Sequence, residues 1–351
     1  MARSGVPPVQ ARSLSDIAES NLLSMADLAF LSQVPVSTLS RLWQDEAWLD
    51  RVSGPTLQLL LGTLPGLAEH LARRGCAARL EGAVRKCRDA GLELRPGAMA
   101  RFLADVRLIP HLATALSAAA GVARLEPWEA TAYLARCWGS RQDLALDAAF
   151  SAGPDRLLAD PAGLLAQARD LVGRVEVGNN ALHPTVAYGI LVHKIAKATG
   201  TPPVLHRPDT PERHSAFAYR SGVIGVLLHT DDLETSIAYQ RALERNPLLR
   251  RNELWSLSSY CADIQQTPQF TVAMTRGLRR TAGEVIRDVG LRNETYLHYL
   301  VNTAIPVLLE RDPGFGGQQA ELRRSLHERL TTGISAPIVR TAAAQLIRKT
   351  R

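Results

Sequence analysis

The first 65 residues are heavily punctuated, and this limits what the chain can fold into. Short apolar stretches are cut at Pro35, at Gly54-Pro55 and at Pro65-Gly66. Proline removes a backbone donor and crowds the preceding turn, while glycine admits φ > 0, so each cut marks a helix end or a turn. Residues 1–12 carry Pro7-Pro8 and no periodicity, and helical pattern begins near Ser13. The spacing predicts a cluster of four or five small helices over residues 1–75.

Inside that cluster, Ser24-Met25-Ala26-Asp27 has the spacing of a capping box, which starts a helix. Leu28, Ala29 and Leu31 follow as its buried side, and Ala29 is small enough to let a second helix cross closely. Gln33-Val34-Pro35 breaks that helix, and Val36 to Trp43 begins the next, with Val34, Leu39 and Leu42 spaced to pack back on the first. Val36, Ser37, Ser40 and Arg41 are left facing outward, with Thr38 beside them. Short hydroxyl side chains and one Arg on an exposed helix suit contact with base edges and phosphates, and Val36 suits a thymine methyl.

Asp27-Leu28-Ala29, Val34 and Ser37-Thr38-Leu39-Ser40-Arg41-Leu42 together resemble the helix-turn-helix reading head of lactose-repressor-type and Cro-repressor-type regulators. Val52-Ser53-Gly54-Pro55-Thr56 is similar to the start of the next helix in the lactose-repressor type, with Ser53 as N-cap. Gln33 stands where that family carries Gly, and Pro35 replaces its Ser cap. Between the two matches lies an insert, residues 44–51, whose acids would repel phosphate unless turned away. The resemblance implies that Val36, Ser37, Thr38, Ser40 and Arg41 contact DNA in the major groove, while Leu28, Ala29, Val34, Leu39 and Leu42 hold the two helices together. It covers about 50 residues, and no α/β sugar-binding domain follows.

The remaining chain is rich in Ala, Leu and Arg, and only 5% of the whole is aromatic. That composition favours helices, so the fold class expected is mainly α: a repressor-like head, then a larger helical domain. Residues 76–200 read as a helical bundle, with stretches such as 77–90, 98–120 and 127–138. Residues 201–351 read as a second helical region that follows a proline-rich loop at 201–214. Within it, Ala216 to Tyr219 and Val223 to Leu227 flank Ser221-Gly222, the pattern of a short β-hairpin. Val285 to Leu300, with Gly290 at its centre, is similar to the second helix-turn-helix of arabinose-regulator-type activators, although a helical hairpin of the core accounts for it better. Tyr219, Trp255, Tyr260, Tyr296 and Tyr299 read as core residues, or as the lining of an effector pocket.

The net charge of +7 is unevenly placed. Basic and acidic side chains number eleven and ten over residues 1–100, seventeen and seventeen over 101–270, and thirteen and seven over 271–351. The excess therefore lies away from the head, in a basic C-terminal segment, and lends the head no support. No phosphate-binding loop, nucleophile elbow, zincin motif or paired-cysteine zinc pattern is present, so no enzymatic activity and no cofactor or metal is expected. Gly314 to Gln319 reads as a turn. His183 with His193, and His206 with His214, lack ligand spacing. Cys76, Cys87, Cys137 and Cys261 are widely separated, as in a reduced cytosolic chain. No uninterrupted apolar run of bilayer length appears, so no membrane partner is expected.

These readings predict a cytoplasmic, nucleoid-associated, sequence-specific transcriptional regulator. Its expected partners are double-stranded DNA, a second copy of the chain and a small-molecule effector. Two other readings stay open: a plasmid, telomere or chromosome replication or partition protein, and a helical interaction module that binds no DNA.

Overall fold

A computed structural model describes residues 12–137, 140–175, 182–205, 213–256 and 280–350. The chain is mainly helical, with 76% of it in helix. Among the described residues no strand forms, and only an isolated antiparallel bridge joins Leu94 to Leu158. The chain divides into two compact units. One comprises residues 1–84 and 102–113, the other 85–101 and 114–351.

The first unit opens with five short helices: α1 (Leu14–Glu19), α2 (Met25–Ser32), α3 (Val36–Leu42), α4 (Trp48–Arg51) and α5 (Gly54–Thr63). Serine side chains start three of them. Ser13, Ser24 and Ser53 each accept the backbone N–H three residues on, which satisfies a donor that the first helical turn leaves unpaired. Such short helices are not stable alone, and a shared core supplies what they lack. Leu14, Ile17, Leu28, Leu39, Trp48 and Leu60 form its centre. The long α6 (Leu67–Asp89) then runs straight through Gly75.

The second unit is built of helices, with the Leu94–Leu158 bridge between two of its loops. Its early helices include α7 (Pro96–Leu103), α8 (Ile109–Ala123), α9 (Pro127–Arg136), α10 (Ser140–Phe150) and α11 (Ala162–Arg174), some of whose residues belong to the first unit. The stretch expected as one helix over 98–120 is in fact α7, a 3-10 turn at Val106–Leu108 and α8. The window Val106–Ala123 has the length and hydropathy of a membrane span, and 56% of it is buried within the protein.

α12 (Leu182–Thr199) and α13 (Arg213–His229) are the most closely packed helix pair in this unit. The β-hairpin expected around Ser221-Gly222 is therefore corrected: those residues lie inside α13. Glycine here serves close approach and forms no turn. A Cβ on Gly189 would lie 2.8 Å from Ser221 Cβ, and one on Gly225 would lie 3.0 Å from the His193 backbone. Tertiary packing overrides the β-branched content of Val223-Ile224. The stretch read as a loop over 201–214 lies between these two helices in the chain; residues 206–212 are outside the described residues, and Arg213 and His214 already belong to α13.

Further helices follow: α14 (Leu233–Arg245), α15 (Pro247–Trp255), α16 (Ala282–Leu291), α17 (Glu294–Tyr299), α18 (Ile305–Arg311), α19 (Gln319–Thr332) and α20 (Pro337–Lys349). A π-helical turn, Leu300–Ala304, joins α17 to α18. These helices and α13 bury one large apolar cluster that includes Phe217, Trp255, Tyr296, Leu300 and Leu326.

Candidate nucleic-acid interface

The helix pair α2–α3 builds from its caps inward. The Ser24 hydroxyl accepts the Asp27 backbone N–H at 3.2 Å, and the Ser24 N–H donates to the Asp27 carboxylate at 3.0 Å. The Ser24 hydroxyl, and after it the Ser24 N–H, holds the Asp27 carboxyl below its ordinary value. At the other end Gln33 takes φ +57°, ψ +19°, the left-handed conformation that favours glycine. Buried Ser32 stabilises this turn: its hydroxyl donates to the Leu28 carbonyl and accepts the Val34 N–H. Sequence reasoning missed Ser32. A serine at the end of a helix, four residues after a buried leucine, was the signal available.

Pro35 precedes α3 in extended geometry and offers no side-chain cap. Its carbonyl accepts from Thr38 and Leu39 N–H groups at 2.9 and 3.1 Å, which begins the helix. The two faces of α3 then separate cleanly. Leu39 and Leu42 are buried, together with Leu28 and Val34, and Ala29 is half-buried against the same core; Leu31, expected on the buried side of α2, is instead exposed, because the buried face of that helix runs through Leu28 and Ser32. Val36 is 55% exposed, and Ser37, Ser40 and Arg41 are exposed beside it. Thr38 is half-buried, between the two faces.

Among the described residues Arg41 makes one hydrogen bond, from Nε to the Ser37 carbonyl at 3.3 Å. Among the described residues no carboxylate pairs with it. Arg41 therefore offers guanidinium donors to a partner outside the chain, and five N–H groups in a planar fork match phosphate oxygens or a guanine edge.

Two of the insert's three acids, Asp45 and Asp50, have basic partners within the unit, and Glu46 is exposed. Asp45 accepts the Ala47 N–H at 2.9 Å and pairs with Arg51 at 3.1 Å. Asp50 lies 3.6 Å from Arg74. Trp48 is completely buried in the core, and its Nε1 donates to the Arg12 carbonyl at 3.2 Å. This role for Trp48 was not read from the sequence, because the insert lies between the two stretches that carry the resemblance.

The other sequence features are placed in the second unit. α16 and α17 span 282–299, with Asn293 as N-cap of the second helix and Gly290 inside the first. Thr295 to Tyr299 are all buried, so this segment presents no reading helix and belongs to the core. Gly314 to Gln318 turn around Asp312, whose carboxylate accepts the N–H groups of Gly314 and Gly316. Tyr219 and Trp255 are core residues, Tyr296 and Tyr299 border a cavity, and Tyr260 lies outside the described residues. His193 faces His229, with Nε2 atoms 3.3 Å apart. His206, the side chains of His183 and His214, and Cys261 lie outside the description. Among the described residues no group of three metal-ligating side chains converges.

Comparisons of the chain with protein-family models, with curated proteins and with solved structures returned no match.

Proposed function

We propose that the chain is a sequence-specific double-stranded DNA-binding protein, a transcriptional regulator that reads an operator through α3 in the major groove. One observation carries the proposal. A capped α2, a tight left-handed turn and α3 put Val36, Ser37, Ser40 and Arg41 on one exposed face while Leu39 and Leu42 anchor the other. The division is what groove reading requires, since base contacts need free side chains on a helix that does not itself move.

Two of the insert's three acids fit this reading, because Asp45 and Asp50 are matched by Arg51 and Arg74 within the head, and Glu46 would have to point away from the duplex. A single head offers few base contacts, so the proposal includes a homodimer that grips two half-sites. Phe30, 84% exposed, and Leu31, Leu59 and Leu61, also exposed, are large apolar side chains of the head that such pairing would cover.

Selection of duplexes from a random library by the full chain tests the proposal. A single enriched motif with two-fold symmetry is the expected result. Binding that stays independent of sequence would overturn it.

A further inference from the structure

A cavity of about 240 Å³ lies within the second unit, walled by α12, α13, α16 and the π-helical turn. Its lining mixes two chemistries. Ile190, Ile224, Leu300 and Leu308 are apolar, and Arg220, Arg280, Lys194 and Asp143 line the same space. π-helical turns occur disproportionately at functional sites, and Leu300 and Ala304 put both ends of this one on the cavity.

The arginines are held from behind and left open in front. Arg220 donates from Nε and Nη2 to Glu253 at 2.8 and 3.2 Å, and Nη2 also reaches the Tyr299 hydroxyl. Glu253 is 1% exposed and takes two more hydrogen bonds, from Tyr239 and Tyr299. Arg280 uses Nη1 alone, for Asp288 and the Tyr296 hydroxyl. Among the described residues, Nη1 of Arg220 and Nε and Nη2 of Arg280 therefore have no acceptor. Three donor-bearing nitrogens of two fixed guanidinium groups are available to a ligand.

Of the charged side chains that line the cavity, three are cations, Lys194, Arg220 and Arg280, and one is an acid, Asp143, which pairs with Lys194. A neutral apolar guest would leave the open N–H groups unpaired, and a bare inorganic anion would leave the apolar lining uncovered. Size agrees with a guest of both characters, since a cavity of about 150 Å³ already takes up benzene.

We infer that this cavity binds a small organic anion. Its carboxylate accepts from Arg220 and Arg280, and its apolar or aromatic body lies against Ile190, Ile224, Leu300 and Leu308. The inference rests on the cavity alone and stands or falls independently of DNA reading.

Calorimetric titration of the full chain with benzoate, benzamide and inorganic phosphate tests it. Benzoate is expected to bind saturably, at least roughly 10-fold tighter than either benzamide or phosphate. Arg280→Gln should weaken benzoate by a similar factor. Because Arg280 also pairs with Asp288, Ala304→Leu serves as the second variant: it keeps both arginines, narrows the cavity and should abolish benzoate binding while the circular dichroism spectrum stays unchanged. No saturable benzoate binding, equal affinity for benzamide or phosphate, or full affinity in a folded Ala304→Leu chain would overturn the inference.

Discussion

Gln33 adopts a backbone conformation that costs an L-residue other than glycine about 1–2 kcal/mol. The turn forces it, because α2 must stop for Val34 to enter the core, and the buried Ser32 hydroxyl closes the turn from within. Gln33→Gly is therefore expected to raise stability in urea unfolding by up to about 1 kcal/mol, the gain being partly offset by the entropy of a glycine in the unfolded chain. Gln33→Val should lower it. This position was legible in advance, since a turn between two amphipathic stretches with glycine in the resembling family leaves little choice of φ. The pairing of His193 with His229 was not, because the two are 36 residues apart and meet only when α12 and α13 pack. Burial first, and then the neighbouring Lys194 charge, pushes the His193 imidazole down to about 3 from an ordinary 6.5. The folded state then refuses a proton that the unfolded chain accepts, so this contribution to stability is full above pH 6.5 and is lost as pH falls toward 3. Within that window each pH unit costs about 1.4 kcal/mol. His193→Gln should flatten the dependence of the unfolding midpoint between pH 6.5 and 4.

Helix starts were the most legible elements. The hydroxyl and carboxylate spacing of Ser24 and Asp27 specifies the first turn of α2 locally, and Ser53 does the same for α5. Ser24→Ala is expected to cost about 1 kcal/mol. Asp27 and Asp16 are both held below 3.8, chiefly by the Ser24 and Ser13 hydroxyls. Their stabilising effect is present above the unfolded value of 3.8 and disappears as pH falls through the lowered folded values. Acid unfolding monitored by Trp48 fluorescence should show this loss, and Asp27→Asn should reduce it. α13 was the least legible element. Its Ser221-Gly222 resembles a turn when only neighbours in sequence are weighed, whereas its glycines answer to α12, a helix that a local reading cannot see. Gly225→Leu should drive side-chain atoms into the His193 backbone and cost about 1–3 kcal/mol.

The whole chain combines a smaller unit that opens with short helices and a larger helical unit whose apolar core holds a buried polar network. The helical class followed from composition. The Arg220–Glu253–Tyr239–Tyr299 network did not, because its members come from four separate helices and carry no motif. Removing one member of such a buried network strands the others' charge, so Glu253→Ala is expected to cost about 3–5 kcal/mol, readable as a drop in the denaturant midpoint. At this scale the proposed dimer also makes a prediction. Half-sites should lie one helical turn apart, about 10 base pairs, and sedimentation of the DNA complex should give two chains per site.

Everything proposed about DNA converges on two exposed side chains. The affinity of the full chain for its own selected duplex, compared with that of a Ser37→Ala, Arg41→Ala double variant, measures their role with the fold held constant, because neither side chain contributes to the core. The variant should melt as the wild type does and lose roughly 100-fold in specific affinity, while its weak non-specific binding persists. A variant that selects the same duplexes at the same affinity would contradict the assignment of α3 as the reading helix.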